Sequence, residues 1–262
     1  MILTDTHTHI YSEAFAEDQE AMMQRAIDEG ITRYFVPAID SEFYEAMYAI
    51  EKKYPDNVFL MTGLHPTHVK TNYQEELAIV SKNVEFRSQE NSKLKFYAIG
   101  EIGIDLYWDQ TYLKEQQDAF LYQIQLAKKY HLPIVIHCRD AFEEIFEILE
   151  AEKDEDLFGI FHCFTGTLQD AKRAIACNMK LGIGGVVTFK NGKIDQFLHK
   201  IPLHHLVLET DAPYLAPVPY RGKRNESLYL LKVAEKLAEI YNRTIEEIAE
   251  ITTKNSKEVF GV

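Results

Sequence analysis

Residues 2–10 read ILTDTHTHI. The stretch ILTDTH (2–7) is short, β-branched and bounded by polar residues, which predicts a strand and not a helix. Side chains two apart on a strand share a face, so His7 and His9 converge on one point. A core has little use for two adjacent imidazoles, whereas a metal ion does. No GxGxxG turn follows this strand, so a dinucleotide-binding sheet has no support.

Seven further runs of the same kind follow: TRYFVPA (32–38), VFLMTGL (58–64), FYAIGEI (96–102), PIVIHC (133–138), GIFHCF (159–164), MKLGIGG (179–185) and HLVLETD (205–211). Amphipathic stretches lie between them. Leu113, Phe120, Leu121, Ile124 and Ala127 fall on one helical face, as do Phe142, Ile145, Phe146 and Leu149. After the eighth run, Leu231, Ala234, Leu237, Ala238 and Tyr241 make another. TIEE (244–247) reads as a capping box, and TLQD (167–170) opens the helix after strand six. Strands alternating with helices predict a parallel sheet with helical crossovers. The count of eight predicts an α/β fold closed as a (β/α)8 TIM barrel, a single domain over 1–262. The polar segment 86–95, FRSQENSKLK, reads as a loop inside that domain.

The net charge is −13, which argues against a large basic nucleic-acid-binding surface. It leaves room for a nuclease that holds phosphates with metal ions and a few local cations. The one dense basic patch is YRGKRN (220–225), readable either as a solvated loop or as a phosphate site. No apolar run approaches the ~18 residues of a membrane span. MILTDTHTHI lacks the form of a secretory signal. Cys138, Cys163 and Cys177 are odd in number and lack CxxC spacing, which suits a reducing cytoplasm.

Polar residues gather at the predicted strand ends. His7 and His9 end the first strand, His65 follows the third, Glu101 ends the fourth, and His137 ends the fifth. His162 ends the sixth, and Glu209 and Asp211 end the eighth. In barrels these ends share one catalytic rim. A lone histidine after a strand is more often a satisfied structural residue. Several such groups on one rim need partners, because burying them unpaired is costly. Divalent cations supply the partner, and imidazole with carboxylate suits zinc, manganese or, for the oxygens, magnesium.

Taken together, GLHP, AIGEIGID, PIVIHCRDA, HCFTG, GIGG, LETDAPYLAP and RGKRNE, with DTHTH at the start, resemble the TatD family of metal-dependent deoxyribonucleases, within the amidohydrolase-like barrel group. The resemblance covers nearly the whole chain. It implies a divalent-metal-dependent phosphodiesterase acting on DNA. It carries metal-ligand roles onto His7, His9, Glu101, His137, His162 and Asp211. The chain departs from the family pattern at Ser227, where proline is usual, and at Ile10 and Tyr11 after the first motif. Neither departure removes a ligand.

On this reading two ions per chain are expected, Mg2+, Mn2+ or Zn2+. His7, His9 and Asp211 hold one, His137 and His162 the other, and Glu101 bridges them, so that hydrolysis uses metal-activated water. Asp211 doubles as a general base, and Glu101 and His65 join it as catalytic residues, with His65 near the scissile phosphate. Arg139, Arg221 and Arg224 are expected on substrate phosphates. Glu209 is expected to support a ligand from behind. Asp105, Tyr107 and Trp108 would line the substrate edge, and Trp108 could stack on a base. Cys138 and Cys163 are expected to point away from the metals. The expected substrate is DNA at single-stranded ends, trimmed 3′ to 5′, in the cytoplasm, with no membrane and a monomer assumed. The alternatives are a metal-dependent amide or ester hydrolase, or an aminoacyl-tRNA deacylase, on the same barrel. A non-catalytic binding protein with a dead site is a weaker reading, since every ligand position is filled.

Overall fold

A computed structural model describes residues 1–88 and 94–262. Eight parallel strands are β1 (Leu3–Asp5), β2 (Ile31–Val36), β3 (Val58–Leu60), β4 (Ile99–Asp105), β5 (Ile134–Arg139), β6 (Gly159–Phe161), β7 (Met179–Ile183) and β8 (Leu206–Leu208). They pair in chain order as β1-β2-β3 and β4-β5-β6-β7-β8. Short backbone bonds stitch both seams. Thr62 donates to Ala98 (3.1 Å) and accepts from Gly100 (2.8 Å), and Thr6 donates to Leu208 (3.0 Å). Strand eight therefore returns to strand one, as a (β/α)8 arrangement requires.

Six helices follow the first six strands: α1 (Gln19–Asp28), α2 (Tyr44–Lys53), α3 (Tyr73–Arg87), α4 (Leu113–Tyr130), α5 (Phe142–Ala151) and α6 (Leu168–Ala176). The last two, α7 (Leu230–Tyr241) and α8 (Ile245–Phe260), both follow β8. Strict alternation fails between β7 and β8, where short 3-10 turns replace an α-helix among the described residues. Gly184, Gly185, Gly192 and Pro202 lie in that stretch and disfavour a continuous helix. Both expected capping boxes form, Thr167 with Asp170 and Thr244 with Glu247. The core face of α7 is Leu230, Val233, Ala234 and Leu237. Of the expected polar loop, 86–87 belong to α3, and 89–93 lie outside the described residues.

The strand parity explains where the site sits. Phe35, Met61, Ala98, Val135, Ile160 and Val207, in or next to six of the strands, pack on one another, and Val259 and Phe260 of α8 join them. The Phe260 ring stacks on Phe35 at 3.7 Å. Two residues further along the same inward face come His137 after Val135, His162 after Ile160 and Glu209 after Val207. An apolar layer thus forms the floor, and the polar residues form the layer above it.

Candidate metal centre

Glu101 would break that parity on a regular strand. The β4–β5 register places Gly100 opposite Val135 and Ile102 opposite Ile136, so Glu101 is an extra, bulged residue. Bulges re-aim side chains beside functional sites. The glycines of GEIGID allow the close strand approach. A Cβ on Gly103, at φ +139°, would lie 2.0 Å from the His137 carbonyl oxygen.

Five imidazoles surround the Glu101 carboxylate. Oε2 lies 3.1 Å from His7 Nε2 and 3.7 Å from His9 Nε2. Oε1 lies 2.8 Å from His137 Nδ1, 3.2 Å from His65 Nε2 and 3.7 Å from His162 Nε2. Asp211 Oδ1 stands 3.6 Å from His9 and 3.9 Å from both His7 and His162. The sequence-predicted set of six therefore meets at one point, and His65 joins it.

Ligand atoms within 4.8 Å of one another form three groups: His7, His9 and Asp211; His7, Glu101 and His162; His65, Glu101 and His137. This differs from the expected pairing of His137 with His162. His162 stacks on His7 at 3.5 Å, whereas its ring lies 6.5 Å from that of His137. His65 approaches His137 because the 3-10 turn Pro66–His68 starts at His65, whose Nδ1 accepts the Thr67 N–H.

Three of these rings meet a polar partner at the nitrogen turned away from the cluster. Tyr11 Oη lies 2.9 Å from His9 Nδ1 and donates to the Pro37 carbonyl. Asp105 Oδ2 meets His137 Nε2 at 2.8 Å. Glu209 Oε1 lies 2.9 Å from His162 Nδ1. Such partners fix ring orientation at metal sites. Gly182 makes room for Glu209, since a Cβ there would lie 2.2 Å from its Oε2. Two buried glutamines of α4 hold the strand ends: Gln123 bonds both backbone groups of Leu64, and Gln116 those of Asp105. Of these, only Glu209 was expected in its role. Tyr11, two residues past His9, carried the one available sequence signal.

The electrostatics fit a cation. Burial would raise the Glu101 carboxyl, but His65, His7 and His162 hold it well below the usual carboxylate range. Burial lowers His65 to about 4, so it is neutral; with Nδ1 accepting from Thr67, Nε2 carries its proton toward Glu101. Burial likewise pulls His162 down, yet Glu209 and Glu101 beside it hold it up at about 10. Both ring nitrogens of His7 are buried without a hydrogen-bond partner, despite the nearby carboxylate. Buried polar atoms left unpaired are costly, and a divalent cation among these nitrogens and oxygens would satisfy them.

The site opens into a cavity of about 610 Å³. Arg139 and Trp108 line its mouth, with Tyr214 and Leu215 from the segment after β8. Cys138 and Cys163 also line it, contrary to expectation. Cys163 lies past the end of β6 with φ +42°, so strand alternation no longer turns it away. Neither belongs to a ligand group among the described residues. Arg221 and Arg224 do not line the cavity. Arg224 is tied to Asp18 at 2.6 and 2.7 Å and to the Ala14 carbonyl at 2.8 Å, and Arg221 lies over the Phe189 ring at 3.8 Å. Their expected place on substrate phosphates is not the one they occupy, because nearer partners fill Arg224 and an aromatic ring seats Arg221.

Comparison with known proteins gives the family. A family described as TatD related DNase matches residues 4–261. A Bacillus subtilis protein named as an uncharacterized metal-dependent hydrolase, YabD, is 41% identical, with both chains covered in full. The crystal structure of the Escherichia coli TatD homologue YjjV superposes with a TM-score of 0.91 at 31% identity, covering 99% of this chain and 98% of that one. A TatD-family hydrolase from Entamoeba histolytica, 21% identical, shares the fold at a TM-score of 0.81 over 99% of this chain and 98% of its own. No helix among the described residues is long and apolar enough to cross a membrane. With its ring of imidazoles around one buried carboxylate, the chain belongs to the TatD family of metal-dependent hydrolases.

Proposed function

We propose that this chain is a divalent-metal-dependent deoxyribonuclease that hydrolyses phosphodiester bonds at single-stranded DNA ends, removing nucleotides 3′ to 5′. The observation that carries the reading is Glu101, one carboxylate shared by ligand groups on its two sides. Two cations suit this arrangement. His7, His9 and Asp211 would hold one with His162 beside them, His137 would hold the other with His65 alongside, and Glu101 would contact both. Bound there, Mg2+, Mn2+ or Zn2+ supplies Lewis acidity and a lowered pKa for water.

The chain's own groups do the rest. Burial works against the Asp211 charge, but His9 at 3.6 Å and the neighbouring imidazoles keep the carboxyl low, so it is ionised and can accept a proton. His65 would contact the scissile phosphate. Arg139, exposed at the mouth and unpaired with any carboxylate among the described residues, can take phosphate oxygens in its fork. The net charge of −13 disfavours a long grip on duplex DNA, which suits substrate ends. Three free cysteines suit a reducing cytoplasm.

The test is a substrate panel on metal-stripped protein restored with each ion. Single- and double-stranded DNA, RNA, a p-nitrophenyl phosphodiester and simple amides are compared. A ladder shortening from the 3′ end of single strands is expected. Amide hydrolysis with no phosphodiester cleavage under any metal would move the assignment to the amide and ester hydrolases.

A further inference from the structure

Large apolar side chains exposed beside a functional cavity mark binding surfaces. Here Trp108 is 69% exposed and lines the cavity mouth, and Tyr107 beside it is 54% exposed. Neither ring is packing the core. The backbone beneath them is nevertheless fixed. Asp105 Oδ1 accepts the N–H of Tyr107 at 3.0 Å and of Trp108 at 3.2 Å, while its Oδ2 meets His137. The two rings stand edge to face at 4.9 Å. The Arg139 guanidinium lies 3.7 Å over the Tyr107 ring and 5.5 Å from that of Trp108.

A rigidly seated, solvent-facing indole next to a cation without a carboxylate partner is the pairing that single strands use. Aromatic faces stack bases, and guanidinium forks take the adjoining phosphates. We propose that Trp108 and Arg139 form a nucleobase-stacking subsite that holds the nucleotide next to the scissile bond. This rests on the nuclease reading and adds to it the part of the substrate that is recognised: one base by its π-face, without sequence readout. Because Asp105 seats both the loop and His137, the subsite is held in fixed register with the metal centre.

Trp108 is the chain's single tryptophan, so its emission reports the subsite directly. Metal-loaded protein is titrated with a phosphorothioate-linked thymidine tetramer and with an abasic tetrahydrofuran tetramer of the same backbone. The thymidine tetramer should quench the emission. The abasic one should leave it unchanged and bind roughly tenfold more weakly, the scale of one lost stack. By anisotropy of labelled tetramers, Trp108→Ala should weaken thymidine binding by a similar factor and abasic binding little. Trp108→Phe, which keeps an aromatic face, should restore most of the loss. Equal binding of both tetramers, no binding of either, or a silent tryptophan on thymidine binding would overturn the subsite. A tetramer that quenches while ordinary DNA is never cut supports the subsite and removes the nuclease reading. Normal cutting with a silent tryptophan and an unaffected Trp108→Ala variant does the reverse.

Discussion

Arg139 and Arg224 are the same side chain in two different corners. Arg139 stands alone in sequence between Cys138 and Asp140, exposed over an aromatic ring at the cavity mouth. Arg224 belongs to the densest basic run in the chain, yet Asp18 and the Ala14 carbonyl fill its fork, and Arg25 and Glu226 extend the same network. A guanidinium whose donors are occupied has little left for phosphate. Charge density along a sequence therefore does not locate an anion site; unspent hydrogen-bonding capacity does.

The Arg224 corner has another purpose. Asn225 donates to the carbonyls of Thr210 and Tyr214 at 2.8 and 2.7 Å, on either side of Asp211. Asp5 accepts the Thr210 N–H and hydroxyl at 2.9 and 2.6 Å. Together they anchor the segment that carries Asp211, which itself sits at φ +59°. RGKRNE is thus read as a structural clamp, and the mouth near Arg139 as the substrate side.

That division can be broken most visibly at Asn225. Asn225→Ala strands one buried and one part-buried carbonyl and should cost about 2–4 kcal/mol in urea unfolding. The KM for oligonucleotides of the folded fraction should stay put, and a raised KM at unchanged stability would reverse the two corners.

Asp5 sharpens the same side. Burial pushes its carboxyl up to about 7 from 3.8. The folded state then binds more protons than the unfolded one between those values, so stability falls as pH rises through that window. The decline should be on the order of 4 kcal/mol. Asp5→Asn should flatten this part of the stability curve, and an unchanged curve would remove Asp5 from the clamp's energetics.

Arg139→Ala should raise the KM for a single-stranded oligonucleotide roughly tenfold, the loss of a charge-assisted contact. The salt slope should fall by about 0.7, one single-strand phosphate. Stability should move by no more than about 0.5 kcal/mol. Unchanged kinetics and salt slope would take the cation out of substrate binding.

Arg224→Ala should give the smallest effect. Its ion pairs are partly exposed, so stability should drop by about 1 kcal/mol or less, with KM and salt slope unchanged. A reduced slope would return the basic run to the substrate side.

Legibility in the sequence followed the range of the interactions. Strand ends and the residues that meet there were readable because parity and short spacing are local: His7 with His9, Glu101 in GEIGID, His137 and His162 after apolar strands. The bulge at Glu101 and the kink at Cys163 were not readable, since both depend on register with a neighbouring strand. The partner of Arg224 lies 206 residues away, and Gln123 holds Leu64 from 59 residues away. No local pattern announces such pairs. The missing helix after β7 lay in a stretch whose glycines and proline were visible, but only the packed barrel shows that 3-10 turns suffice there.

The account stands on Glu101 being shared between two cations. The direct test counts ions per chain by calorimetric titration with Mn2+ and Zn2+, checked by elemental analysis, in the wild type and in Glu101→Gln. The wild type should bind two. Glu101→Gln should lose at least one, with a folded circular dichroism spectrum and turnover down by about 100-fold or more. Two ions bound with undiminished affinity and near wild-type turnover in Glu101→Gln, or no ion bound by the wild type at millimolar metal, would contradict it.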